Sequence, residues 1–237
     1  MLKASERQIL SELERDALVL DVGGGAQPFR RADWVIDIME YGHRGLYGDP
    51  PAPELERFGP ATWVTRDICL REPWPFEDRQ FDFAICSHTL EDVRDPIYVC
   101  DEMIRVARAG YVEVPSRLEE QSYGFQGPWT GWGHHRWLID LDEDELTFVF
   151  KHHVVERDGD HFTPEFHAAL SSEQRVHRLW WEGGFRYGER VFLEGAGLDA
   201  YLQDFVTAQA PGSTPPVGRR TRFKRPRGPS AQADPRQ

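Results

Sequence analysis

Three consecutive glycines follow a run of apolar residues in "ALVLDVGGGAQP" (residues 17–28). Glycine loses more backbone freedom on folding than any other residue, so a triplet belongs in a turn that needs unusual angles or a close approach. The residues before it read as a buried β-strand. A strand running into such a turn starts an α/β sheet when further strands alternate with helices along the chain.

They do so here. "DWVIDI" (33–38) and "ATWVTRDI" (61–68) are second and third strand candidates, and "FDFAICSH" (81–88) is a fourth. The fourth is almost continuously apolar, as expected of a strand covered on both faces. "GYVEVP" (110–115) is a fifth, and "DPIYVCDEMIRVARA" lies between the two. There Asp95 can cap a helix, Pro96 suits its first position, and Ile97, Val99, Cys100, Met103, Ile104 and Val106 supply a broad apolar face. Leu2, Ile9, Leu10 and Leu13 mark a leading helix before the first strand. The expected fold is α/β: a Rossmann-like, doubly wound, mostly parallel sheet with helices on both faces and right-handed crossovers, its core within residues 15–116. Only about ten residues separate Gly25 from the second strand, so the first crossover helix is expected to be short, "PFRRA" and little more.

After Pro115 the character changes. Residues 122–137 are rich in aromatics, Gly and His, and the stretch after Arg136 reads as a β-hairpin turning near Asp142 to Asp144. Residues 164–183 have helical spacing after a capping Thr163, and 189–195 reads as a last strand. This hairpin and helix extension, 118–206, is expected to serve as a substrate lid or a dimer surface. Residues 1–206 thus form one domain, and 207–237, rich in Pro, Gly, Ser, Thr and Arg, read as a disordered basic tail.

Charge divides the same way. Residues 207–237 carry seven Lys or Arg against one Asp, a net +6, so the overall −12 leaves −18 on residues 1–206. An acidic body argues against a nucleic-acid track across the fold, although the cluster at 219–227 would suit phosphate. Cys69, Cys86 and Cys100 are odd in number and form no close pair, which disfavours a disulfide framework or a thiolate zinc site. No apolar stretch approaches the roughly 20 residues of a membrane helix, and the amino end lacks the features of a signal peptide, so a cytoplasmic location is expected.

The glycine spacing fails the dinucleotide fingerprint, and no phosphate-binding lysine motif is present. Polar residues do recur at strand ends: Asp21 after the first strand, Asp37 after the second, Asp67 after the third, and "CSHTLEDVRDP" (86–96) after the fourth. This ordered series resembles the class I S-adenosylmethionine-dependent methyltransferases, in particular the small-molecule, type 11-like branch whose fourth strand runs into a "SHxLEHxxDP"-like motif. The resemblance covers about residues 15–116. It implies that Asp21, Gly23, Gly24 and Gly25 surround the methionine part of S-adenosylmethionine and that Asp37 accepts hydrogen bonds from the ribose hydroxyls. It also implies that Asp67 and the backbone at Ile68 meet the adenine edge, and that Cys86, Ser87 and His88 border the reacting centre. The family's second His is Asp92 here, so that position's role does not carry over.

The implied reaction is methyl transfer to an oxygen or nitrogen of a small molecule of natural-product or sugar type. The "HRW" segment and the following hairpin are similar to carboxy-terminal extensions of some bacterial methyltransferases near such pathways. Where the acceptor must lose a proton, histidine is the natural base. His88 is best placed, with His134 and His135 of "WGHHRW" next, and Trp129, Trp132 and Trp137 can wall an aromatic or apolar acceptor. His134, His135, His152 and His153 would converge if residues 136–153 form a hairpin, but adjacent histidines on a strand point to opposite faces, so at most one of each pair can serve one site and no metal site is expected. Competing readings are a non-catalytic S-adenosylmethionine-binding protein, a nucleic-acid methyltransferase anchored by the basic tail, and a nicotinamide-dependent oxidoreductase. The last is disfavoured by the glycine spacing and the lack of a Tyr-x-x-x-Lys pair. A homodimer is compatible with the extension.

Overall fold

The computed structural model describes residues 1–46 and 51–209. The leading helix α1 (Lys3–Glu12) precedes β1 (Val19–Val22), β2 (Trp34–Asp37), β3 (Trp63–Thr65) and β4 (Phe81–Ser87). Helix α2 (Pro96–Val106) then leads into β5 (Ala107–Pro115) and the single turn α3 (Arg117–Glu120). The carboxy-terminal part holds β6 (Trp137–Asp142), β7 (Glu145–Phe150), α4 (Pro164–Ala168), β8 (Val176–Glu182), β9 (Arg186–Glu189) and α5 (Gly195–Ala208).

The main sheet has the order β3-β2-β1-β4-β5-β8. Its first five strands are parallel, whereas β8 runs antiparallel to β5 from Ala109↔Glu182 to Pro115↔Val176. The order reverses between β1 and β4, which opens a crevice at their carboxyl ends, where open α/β sheets place ligands.

Helices cover both faces, as expected. On one face α2 starts as its sequence requires: the Asp95 carboxylate accepts from the Tyr98 N–H, with Pro96 next in line. Its Val99, Cys100, Met103 and Val106 pack on Leu20, Val22, Ala84, Cys86 and Val112. On the other, α1 lays Ile9 on Val19, Phe83, Ile85 and Tyr111. The hairpin β6–β7 turns at Glu143, close to the expected position, and with β9 forms a second, three-stranded sheet whose Ile139, Leu146 and Phe148 join the α2-side core.

Four expectations need correction. Residues 23–33 cross from β1 to β2 as turns without a helix, because so short a link leaves no room for one between parallel strands. The helix expected over 164–183 stops at Ala168, and "VHRLWWE" is strand β8. There Leu179 and Trp181 point to the α2-side core while Trp180 packs on Tyr111 on the opposite face, so a period of two fits the burial and a helical period does not. The last strand, β9, lies at Arg186–Glu189 rather than 189–195, and Phe192 instead packs on Tyr201 of α5, a helix the composition concealed. That helix carries Thr207 and Ala208, so the expected tail cannot begin at 207; residues 210–237 lie outside the described residues. Among the described residues, no helix is long and apolar enough to cross a membrane.

Candidate active site

The glycine triplet closes on side chains of its own chain. Gly23 takes φ +76°, a left-handed angle, and a Cβ there would run into Thr89. A Cβ on Gly24 would run into the Asp21 carboxyl group, and one on Gly25 would lie 2.5 Å from the Asp37 carboxylate carbon. The absent side chains therefore let the turn sit directly on two carboxyl groups and on the segment after β4.

Both carboxyl groups are held by backbone donors. The Phe29 N–H donates to Asp21 at 2.7 Å; the Gly25 N–H donates to one oxygen of Asp37 at 3.0 Å and the Met39 N–H to the other at 2.5 Å. Burial raises the pKa of Asp21 to about 7, against the lowering effect of the Phe29 bond, with repulsion from Asp37 adding to the rise. Asp37 is also raised by burial, with Met39 and Gly25 opposing. Beside it Ile38 is 68% exposed, an apolar face next to a carboxylate at the mouth of the crevice.

Asp67 closes the turn after β3. Its carboxylate accepts from the Cys69 N–H at 2.9 Å and pairs with Arg94 at 2.5 Å; burial would raise its pKa, but these contacts outweigh it and hold it below the ordinary value. Ile68 has its side chain in the core, and its carbonyl accepts from the Trp74 indole N–H. The Cys86 side chain is likewise fully buried beneath the sheet rim, and burial pushes its thiol well above the ordinary range, so it does not line the crevice. Ser87, one residue on, carries a buried hydroxyl with no hydrogen-bond partner.

His88 takes φ +54°, which a histidine adopts only where packing requires it. Its ring meets Glu113 at 3.2 Å through Nε2 and Glu91 at 3.4 Å through Nδ1. Burial would lower its pKa, but Glu113 and Glu91 outweigh this and raise it to about 9. Its two carboxylate neighbours favour the protonated ring, in which both nitrogens donate. Glu113, fully buried near the end of β5, also accepts from the Tyr111 hydroxyl and the Leu2 N–H.

Residues 88–92 connect the glycine turn to the aromatic loop. Thr89 packs on Gly23, and the Arg136 N–H donates to the Glu91 carbonyl at 2.7 Å. Asp92 lies 3.8 Å from His135 and 4.0 Å from His134. His88 thus turns to Glu91 and Glu113, whereas His134 and His135 converge on Asp92. A cavity of about 680 Å³ is lined by Trp129, Trp132, His134, His135 and His153 among others. Trp137 does not wall it: that side chain is buried in the core and its indole N–H donates to the Val93 carbonyl. Ile38, Thr89, Glu91, Glu113 and Glu120 were missed by sequence reasoning. Only Glu113 had a visible signal, an acid alone within the apolar "GYVEVP".

Residues 51–112 match the family model described as a methyltransferase domain. The match spans about a quarter of the chain. The matched segment runs through β3, β4 and α2 into β5, the half of the sheet on which residues 86–96 are mounted. Among solved structures the chain is similar to a SAM-dependent methyltransferase from Aquifex aeolicus, with 19% identity, 47% of this chain and 64% of that one covered, and a TM-score of 0.35. It is also similar to a SAM-dependent methyltransferase of Thermotoga maritima, titled a possible histamine N-methyltransferase. Identity there is 23%, coverage 52% of this chain and 54% of that one, and the TM-score 0.31. The similarity thus spans between half and two thirds of those structures. No match is found among curated proteins.

Proposed function

We propose that the domain binds S-adenosylmethionine across the carboxyl ends of β1, β2 and β4 and transfers its methyl group to an oxygen or nitrogen of a small-molecule acceptor. The observation that carries this reading is the pair of carboxyl groups, Asp21 and Asp37, that backbone donors hold against the glycine turn at the switch point of the sheet. Asp37 keeps acceptor capacity for two neighbouring hydroxyls, and Ile38 offers a flat apolar contact beside it. Charge-assisted hydrogen bonds of this kind contribute roughly 1.5–3 kcal/mol. Negative charge at this rim also suits a ligand whose sulfonium and ammonium outweigh its one carboxylate.

When bound, S-adenosylmethionine supplies a methyl group on a positively charged sulfur, open to direct displacement. The chain's own task is to align the acceptor and to keep water away. Thr89 and Gly23 close the turn, and the imidazolium of His88, clamped by Glu113 and Glu91, fixes the segment that follows β4. The aromatic cavity beside His134 and His135 is a suitable seat for a natural-product or sugar-type acceptor. Placing the protein in the cytoplasm, as a homodimer or with a small-molecule partner, belongs to this reading. A nucleic-acid acceptor would depend on basic residues outside those the structure describes.

The test is a set of thermal melts with S-adenosylmethionine, S-adenosylhomocysteine, NAD and NADP in parallel. A ligand at about 100 times its Kd adds roughly 2.7 kcal/mol. Shifts with the two adenosyl compounds alone are expected, followed by label transfer from methyl-labelled cofactor to hydroxyl and amine acceptors. Shifts with the nicotinamide compounds would overturn the reading, and tight adenosyl binding with no transfer would indicate a binding protein.

A further inference from the structure

The loop "TGWGHHRW" (130–137) brings together groups that methyl transfer does not use. β6 starts only at Trp137, so His134 and His135 sit in a turn and the alternation of a strand does not apply to them. Both rings approach Asp92: His135 Nε2 is 3.8 Å from one carboxylate oxygen and His134 Nε2 is 4.0 Å from the other. One ligand atom from each of the three lies within 4.8 Å of the others. Around a tetrahedral zinc with bonds of about 2.0–2.1 Å, neighbouring ligand atoms are about 3.3 Å apart, so a small inward turn of the rings completes the geometry.

Three further observations show a built site. First, His135 Nδ1 is 2.6 Å from Glu120, a carboxylate that also binds Lys151 at 3.0 Å. A carboxylate on one ring nitrogen fixes the tautomer and leaves Nε2 free to ligate, the usual support of a metal-bound histidine. Second, Gly131 takes φ +65°, and a Cβ there would press 2.7 Å from Lys151 Nζ and from the Glu120 carboxylate. The glycine lets the loop lie on the pair that orients His135. Third, Asp92 Oδ1 is buried without a hydrogen-bond partner, as is Oε2 of the fully buried Glu91, whose Oε1 faces His88. Glu91 lies close enough to act electrostatically on both Asp92 and His135. Buried carboxylate oxygens without partners are costly unless a cation meets them.

We propose that Asp92, His134 and His135 form a site for a divalent transition-metal ion of the zinc type. Two imidazoles and one carboxylate give three protein ligands, the number found in open sites, and leave a fourth position for an oxygen ligand. Both histidines line the aromatic cavity of about 680 Å³, so a water or hydroxyl-bearing molecule can reach that position from there. Nε2 of His135 ligates while Glu120 retains the hydrogen bond to Nδ1. The site does not depend on the methyl-transfer reading.

The experiment is a titration of the chelator-stripped full chain with Co²⁺, read by visible d–d absorption, together with equilibrium dialysis against Zn²⁺. One ion per chain and a four- or five-coordinate Co²⁺ spectrum are expected. His134 is mostly exposed, so His134→Ala is expected to keep the fold and lose the band, as is Asp92→Ala. The double variant His152→Ala with His153→Ala is expected to retain it. Glu120→Gln is expected to weaken binding by about 10–100-fold. Absence of a band in the natural chain overturns the proposal, as does a band that survives both Asp92→Ala and His134→Ala.

Discussion

Gly25→Ala tests whether the glycine turn exists to hold Asp37. Gly25 does not need a left-handed backbone, so alanine is conformationally allowed and, by restricting the unfolded chain, would by itself stabilise by about 0.4–1 kcal/mol. In the fold the new Cβ would lie 2.5 Å from the Asp37 carboxylate carbon, and that carboxylate is pinned by the Gly25 and Met39 N–H groups. It has to swing away, and at least the Gly25 bond is lost, a hydrogen bond to a charged group worth about 1.5–3 kcal/mol. After the offset, the net loss is about 1–2 kcal/mol, a fall in Tm of roughly 2–8 °C for a chain of this size. If Asp37 accepts from the ribose as proposed, affinity for S-adenosylmethionine, measured calorimetrically at a temperature where the variant is folded, falls at least tenfold. In an Asp37→Ala background the same substitution meets no carboxylate and becomes neutral or slightly stabilising. Equal destabilisation in both backgrounds, or an unchanged Tm with unchanged affinity, would refute the coupling between turn and carboxylate.

Asp21→Asn keeps an acceptor for the Phe29 N–H and removes the buried acid. Because the folded pKa of about 7 exceeds the unfolded 3.8, the natural chain loses stability as pH rises between those values. The variant is therefore more stable at pH 8 by on the order of 4 kcal/mol and equal near pH 3; urea unfolding at both pH values checks this, and a pH-independent difference counts against it. His88→Gln has the opposite profile, since the folded pKa of about 9 lies above 6.5. The imidazolium's contribution is complete below pH 6.5 and fades through pH 9, so the stability gap between the two chains closes by pH 10; a constant gap would remove the Glu113 and Glu91 clamp. In Gly110→Ala the added Cβ would press on the Ala84 carbonyl and, at 2.5 Å, on the Trp181 ring. Overpacking of this kind costs about 1–3 kcal/mol, and an undiminished Tm would mean that β8 does not lie against β5 there.

The first half of the chain was largely legible because its signals are local. Apolar runs of strand length end in glycine or aspartate, and Asp95 with Pro96 starts α2 by chemistry confined to a few residues. A strand buried on both faces must be apolar throughout, so β1, β4 and β5 show themselves without knowledge of their neighbours. The residues at their ends follow from strand direction alone, which is why Asp21, Asp37, Ser87 and His88 could be placed at one rim.

Tertiary structure decided whatever depends on a neighbour. "VHRLWWE" satisfies helical spacing in isolation and becomes β8 because the free edge of β5 supplies hydrogen bonds and opposite faces for Leu179 and Trp180. Cys86 looked like a site residue from its position in the chain, yet the direction of its side chain puts it in the core. The surroundings of His88 are set by Glu113, 25 residues away in sequence, whose carboxylate favours the protonated ring. His134 and His135 face one carboxylate because the chain there is a turn and not a strand. Periodicity and capping are written along the chain, whereas charge pairing and side-chain direction exist only once distant segments have met.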